Sequence, residues 1–371
     1  MNINLYEKLF TEDLFTAIEY STIIPPIYIY LISFAYITIV LTMFRYRRRL
    51  GSEYLPMQYL IFGLAAFTMG QLHNPMLEDQ YSYLTASETL FWDRPLYVWL
   101  TFYLRYYGTL LFNLVLFGAI IYVTTRLCRE KNIDEDLPVL FLFASPFSLF
   151  HVYWVLPEVV VAFLALSLYY AYTQGWGKIA FFLNIPIAFL KVSSMLVALP
   201  INILFLRKKN STPILGMLLS ISLYLSLKQT FLGDPFQVYN PAVTDISPGG
   251  LAINLFNSLG NLTLMLSPLV FFLPSYIKKP ESWKEYEGLT GVLTILLFLG
   301  VAANYGYYWR YFYPLLPFYA LKATELIRDK RRLFTAMLFM NFILIFPMLA
   351  VWNCPYNLKI IGFTLCEIRG F

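Results

Sequence analysis

Apolar residues run along this chain in long unbroken blocks, separated by short polar stretches rich in Arg, Lys, Pro and Gly. The blocks do not alternate apolar with polar positions, which excludes the dyad repeat of a β-barrel. A helical block of about 20 residues crosses a hydrocarbon core of ~30 Å. Set against their breakers, the blocks predict twelve helices: 24–44, 56–72, 108–126, 137–152, 156–173, 178–190, 193–206, 212–231, 260–276, 288–305, 311–327 and 333–351. The pair 178–190 and 193–206 also reads as one long tilted helix. The expected fold is all-α, a polytopic transmembrane bundle forming a single domain over residues 1–371.

Composition removes the soluble alternative. Hydrophobic residues make up 59% of the 371 and charged residues 13%, and the mean hydropathy is +0.61. A soluble domain of this size needs far more charge to cover its surface. Aromatics reach 19% and gather at block ends, where Tyr and Trp favour the headgroup level. The net charge of +5 comes from scattered loop clusters, so no nucleic-acid partner is indicated. The opening stretch, MNINLYEKLFTEDLF, has no basic region leading into a hydrophobic core, and no cleavable signal peptide is expected.

The basic clusters orient the blocks. If the first helix runs inward, alternate loops hold Arg45–Arg49, Arg126/Arg129/Lys131, Lys178, Arg207–Lys209, Lys278/Lys279/Lys284 and Arg328–Arg332. That puts 18 of the 27 Lys and Arg on one face, which the positive-inside rule assigns to the cytoplasm. Both termini are then expected on the non-cytoplasmic face of a multi-pass protein, in the cell membrane or the endoplasmic reticulum membrane.

Three segments on that outer face are too long for simple turns: 73–107, 232–259 and 352–371. The first carries Trp92, Trp99 and many Tyr on one side and reads as amphipathic helices in the membrane interface. The second is rich in Pro and Gly and reads as an irregular lid. Cys354 and Cys366 share the outer tail, which makes a disulfide between them plausible; Cys128 reads as cytoplasmic and free. No CxxC or Cys/His spacing indicates a zinc or redox site, and the two histidines are His73 and His151.

The charges needing explanation lie on the outer face near helix ends. Glu78 and Asp79 follow the second helix directly, and Glu158 follows Pro157 at a later outer turn. Arg94, Arg105, Lys191 and Arg310 are the cations on the same face. Glu158, Lys228 and Arg105 read first as interfacial charges snorkelling to water. Lys191 sits in a short apolar-flanked turn, and Arg310 stands among aromatics in YYWRYFYP. A carboxylate and cations on one membrane face fit a site that handles an anion and a polar group.

This order of features resembles the GT-C glycosyltransferases, polytopic enzymes that take sugars from polyprenyl-phosphate carriers on the outer or lumenal face. The family's acidic motif opening its first outer loop is matched by Glu78-Asp79, followed by Tyr81, Tyr83 and Ala86, then Arg94-Pro95-Leu96-Tyr97. HVYWVLPEVV is similar to its next outer turn, with Glu158 near the start of a helix. FLKVSSMLVALP is similar to its passage through Lys191 and Pro200. RYFYPLLPFYALKATELI is similar to its late Arg-Tyr-x-x-Pro-x-x-Pro helix through Arg310, Tyr311, Pro314 and Pro317. The likeness covers residues 56–330, leaving 1–55 as an extra first helix and 331–371 as a last helix and tail. No large soluble C-terminal domain and no WWD-type motif accompany it, so the chain resembles a compact member and not an oligosaccharyltransferase.

The resemblance implies an inverting transferase. Asp79, with Glu78 as second choice, would take the proton of the acceptor hydroxyl. Arg310 and Lys191, with Arg94 from the loop, would hold the lipid phosphate as its charge develops. Membrane lipids and a polyprenyl-phosphate-linked sugar are the expected partners, and no cofactor is required. An alternative arrangement bridges Glu78/Asp79 and Glu158 through a divalent metal, Mg or Mn. Two other functions fit the same helices: a transporter or flippase of lipid-linked substrates, and a non-catalytic scaffold of the same fold. Transporters commonly show internal repeats with midplane charges, and neither stands out here.

Overall fold

The computed structural model describes residues 26–72, 94–154, 156–190, 194–234, 263–272, 274, 309–327, 329–351, 359–360 and 363–364. Eleven α-helices dominate them: α1 Pro26–Leu50, α2 Tyr54–Leu72, α3 Pro95–Glu130, α4 Asp136–Ala144, α5 Pro146–Tyr153, α6 Glu158–Thr173, α7 Gly177–Leu190, α8 Met195–Arg207, α9 Thr212–Leu232, α10 Leu316–Ile327 and α11 Arg331–Val351. A two-residue antiparallel pair, Lys359–Ile360 with Phe363–Thr364, is the only strand structure among the described residues. Two helices, α3 and α9, are long and apolar enough to cross a membrane, and the bent pair α4–α5 makes a third if it is one span.

Helices α4, α5 and α6 form the centre. Every side chain from Leu137 to Tyr153 is buried, and α6 is buried over most of its surface. A helix apolar all round is stable only when neighbours cover every face. Here α3 and α10 pack along the column, and α1, α2 and α11 close another side of it. Helices α7, α8 and α9 form an outer group joined to the column chiefly through α6. The bend of 56° between α4 and α5 sits at Ser145, extended at φ −74° and ψ 122°. Pro146 requires this, because its ring disfavours the helical region for the residue before it.

Within the outer group the contacts are small and polar. Asn184 of α7 and Asn202 of α8 exchange reciprocal amide hydrogen bonds of 2.9 Å, and Asn184 also donates to the Pro213 carbonyl at 3.0 Å. Ser220 of α9 donates to Ile185 O, and a Cβ on Gly216 would strike the Phe181 backbone. Apolar lipid gives no hydrophobic drive for helices to associate, so close backbone approach and shared hydrogen bonds take its place.

Three helices end alike at one end of the bundle. Asn132, Gly175 and Lys209 adopt left-handed backbone after α3, α6 and α8, with φ of 53°, 71° and 58°. The following N–H closes back on Cys128 O, Ala171 O and Phe205 O at 2.8, 2.8 and 3.0 Å. These are Schellman closures, which satisfy the last carbonyls and turn the chain sharply.

The same end is stapled by charge. Arg47 of α1 pairs with Asp136, Arg129 of α3 pairs with Glu135 at 2.8 Å, and Arg331 of α11 pairs with Asp134. Thr324 of α10 donates to the Asp134 carbonyl at 3.2 Å. One acidic turn therefore ties four helices together at what is here called the basic end.

The observed helices agree with the expected blocks, with informative differences. Residues 178–190 and 193–206 fall in two helices, not one tilted helix. The block at 311–327 begins as a 3-10 segment, Trp309–Leu315, before α10. The block at 260–276 is interrupted: residues 263–266 are helical, and Leu269–Phe272 form a separate 3-10 turn beyond Pro268. The block at 288–305, the loop 232–259 beyond Asp234, and Cys354 and Cys366 lie outside the described residues. Cys128 is a free, buried thiol.

The largest difference lies in α3. The block expected over 108–126 is preceded by a helical arm, 95–104, and the two meet at Arg105 with φ 60° and ψ −176°. A non-glycine residue rarely adopts that conformation. In a straight helix Tyr97 and Asn113 would stand about 24 Å apart. Their side chains instead lie against each other, so the two arms close to well under a right angle. The arm is amphipathic, as expected, with Tyr97, Val98 and Thr101 buried and Trp99 and Tyr103 55% and 65% exposed. It is bent back at Arg105 towards the rest of α3.

Candidate functional site

The end opposite the basic staple holds the helix ends from which the candidate residues emerge. Helix α6 starts there at Glu158 and reaches the basic end at Thr173, where Gln174 donates to Glu130 at 2.6 Å. Helix α7 returns and α8 comes back to Arg207, so Leu190, where α7 ends, and Met195, where α8 begins, lie at the far end. Helix α2 ends beside the same region. A Cβ on its Gly70 would meet the Tyr106 hydroxyl, which donates to the Tyr153 carbonyl of α5 at 3.0 Å.

Two of the candidates are described with their side chains. Arg94 caps the start of the folded-back arm, with Pro95 pre-set for the first helical turn, and is half-buried. Glu158 opens α6 directly after Pro157 and is only 1% exposed. Tyr97, fully buried, brings them together: its hydroxyl lies beside the Asn113 amide and within electrostatic reach of both Glu158 and Arg94. The reading of Glu158 as a charge snorkelling to water is thereby overturned. Burying a carboxylate is expensive unless charge and hydrogen bonds compensate it. The first-turn position also helps, since the free N–H groups of a helix start favour negative charge.

Lys228 departs from the snorkelling expectation as well. It is buried on α9 with its ammonium 5.4 Å from the centre of the Tyr224 ring. Arg105 is half-buried at the hinge of the arm, its guanidinium 5.2 Å from the Phe102 ring centre.

The backbone of Arg310 belongs to the 3-10 segment Trp309–Leu315, which packs along α6 and touches α5. Tyr313 of that segment stacks on His151 of α5 at 3.9 Å and 19°. His151 Nδ1 lies 2.7 Å from the Phe147 carbonyl. A carbonyl only accepts, so Nδ1 carries the proton in this contact and Nε2 is the acceptor of the neutral ring. Asn113 and Tyr313 were not singled out by sequence; each is an uncharged residue inside an apolar block, marked only by its polar type in an otherwise continuous run. Tyr97 entered only within the Arg94-Pro95-Leu96-Tyr97 match, and His151 only as one of two histidines.

Glu78, Asp79 and Lys191 lie outside the described residues. The helix ends flanking them do not: α2 ends at Leu72 and α7 at Leu190, at the end of the bundle that carries Glu158. Among the described residues no group of three or more His, Cys, Asp or Glu is arranged to hold a metal. A surface depression lined by Asp329, Lys330, Arg331, Arg332 and Leu333 belongs to the basic end. No family model, curated protein or solved structure matches the chain.

Chemically, the described part of this end combines a buried carboxylate, a guanidinium, a phenol and an amide in apolar surroundings. Such a setting strengthens every charge interaction within it. It suits recognition of a polar or anionic group presented from within a membrane.

Proposed function

We propose that the chain is a polytopic membrane glycosyltransferase of the GT-C type, with about twelve crossings and both termini on the non-cytoplasmic face. It transfers a sugar from a polyprenyl-phosphate carrier to a lipid, glycan or protein acceptor, with inversion. The observation that carries this reading is the gathering of Arg94 and Glu158 around Tyr97, at the bundle end from which the chain enters the Glu78–Asp79 segment. The end opposite, rich in arginine, is the cytoplasmic one under the positive-inside rule.

In the reaction the acceptor oxygen attacks the anomeric carbon as its proton passes to Asp79. The bond from that carbon to the phosphate oxygen breaks, and its electron pair leaves on the polyprenyl phosphate. Arg310 and Lys191 offset the charge that develops there, which makes a general acid unnecessary. Glu158 lies within electrostatic reach of the Tyr97 phenol, which in turn lies within reach of Arg94, company that competes with a divalent metal at this site. The metal-free arrangement is therefore preferred, and EDTA is expected to leave turnover within about twofold.

The test is direct. Membrane vesicles that contain the protein with their native lipid, glycan and protein acceptors, given a polyprenyl-phosphate hexose labelled in the sugar, should release polyprenyl phosphate as the label moves to an acceptor. Asp79→Asn should reduce that release by about 10²-fold or more while expression and melting temperature hold. Full activity in this variant would remove Asp79 from the mechanism. Label that crosses the vesicle membrane with the donor intact would favour transport instead.

A further inference from the structure

We infer that residues 95–104 form a re-entrant helical arm hinged at Arg105 and docked on α6 through Tyr97, and that Glu158 is the positioning residue holding it there. Three observations carry this. Arg105 holds a backbone conformation that a non-glycine residue rarely adopts. Such strain persists only where surrounding contacts hold it. The contacts are present: Tyr97, Val98 and Thr101 are fully buried, α3 packs along α6, and Asn113 meets Tyr97 across the fold of the hairpin. The third is that Glu158, buried at the start of α6, lies within electrostatic reach of Tyr97 on the arm, and a buried carboxylate is held only where neighbouring polar groups compensate it.

The arm also bears on the site. Its free end is Arg94, the residue at which the chain emerges from the segment carrying Glu78 and Asp79. Docking the arm therefore fixes one anchor of the acidic segment. Glu158 then acts through Tyr97 and Arg94, and not as a second acid or a metal ligand. This last step rests on the proposed transferase reading; the docking itself does not.

The test separates the two. Val98, fully buried on the docked face, is replaced by Cys in the full chain, and thiol labelling by a membrane-impermeant maleimide is followed site by site by mass spectrometry. Native Cys128, buried at the basic end of the same helix, is the internal reference. With Glu158→Ala the V98C thiol should label about tenfold faster or more, as expected for local opening once the buried polar neighbour of Tyr97 is removed, while Cys128 stays protected. Glu158→Gln, which keeps a hydrogen-bonding group of the same shape, should leave labelling unchanged. Unchanged labelling in Glu158→Ala overturns the docking, and so does equal exposure of Cys128, which would mark general unfolding.

Donor turnover is the second readout. Positioning predicts that Glu158→Gln retains turnover within about threefold while Glu158→Ala loses it together with docking. Loss in Glu158→Gln with the arm still docked would overturn positioning and return Glu158 to the chemistry. If the wild-type chain turns over no donor, the transferase reading fails and the labelling results still decide the arm.

Discussion

At the basic end, three arginines from α1, α3 and α11 meet Asp134, Glu135 and Asp136 on one turn, and every one of those side chains keeps some contact with water. At the opposite end, Glu158 and Tyr97 are sealed inside the bundle, and Arg94 reaches them from the tip of a strained hairpin. Both ends join helices by polar contacts, but the energetics differ. Partly exposed ion pairs cost little to form and contribute little each, typically below about 1 kcal/mol. A buried carboxylate is costly to hold, and removing one of its partners costs several kcal/mol. Orientation and stapling are served by the inexpensive kind. The expensive kind is worth keeping where a site needs charge in a dry place, which is why the proposed chemistry is placed at that end.

Paired substitutions would break this comparison most sharply. Arg310→Ala should lower donor turnover by about 10²-fold, as loss of a charge-stabilising group commonly does, with little change in melting temperature. Its counterpart at the basic end, Arg331→Ala, should leave turnover within about twofold and lower stability by about 1 kcal/mol. A loss of turnover in Arg331→Ala as large as in Arg310→Ala would erase the distinction between the ends.

Between the two ends, the Asn184–Asn202 pair tests whether buried polarity serves packing alone. Asn184→Leu should destabilise the protein by about 1–2 kcal/mol, because it strands the Asn202 amide in an apolar setting. The double replacement Asn184→Leu/Asn202→Leu should cost less than the single one, since no unsatisfied partner remains. Thermal unfolding in detergent measures both, and turnover of the folded fraction should stay unchanged.

The smallest effect sharpens the comparison by screening. In 1 M salt the Debye length falls to about 3 Å. The stability difference between wild type and Asp136→Asn should then shrink towards zero. The difference for Glu158→Ala should persist, because salt does not reach a buried group.

Much of this architecture could be read along the chain. Ten of the twelve expected blocks correspond to described helices or helix pairs with shifted ends. The blocks were legible because a run such as Asp136–Tyr153 has no polar face, and only helices with covered sides can house it. Even the bend at Ser145 is written in the following Pro146. The hinge at Arg105 was not legible, since nothing about arginine favours that conformation; it accompanies the burial of Tyr97, Val98 and Thr101 in the arm before it. Burial of Glu158 was equally hidden. A carboxylate after proline at the start of a helix looks the same whether the neighbouring helix covers it or leaves it in water.

The amino-acid sequence alone determined the helical class, the block spacing and the concentration of basic residues at alternate block ends. These depend on local composition and on period, which neighbours along the chain supply. Tertiary structure alone decided that the arm before α3 folds back, that Glu158 and Arg94 meet through Tyr97, and that one acidic turn collects arginines from three helices. Most of those contacts join residues tens to hundreds of positions apart, and their energies depend on burial, which no local pattern specifies.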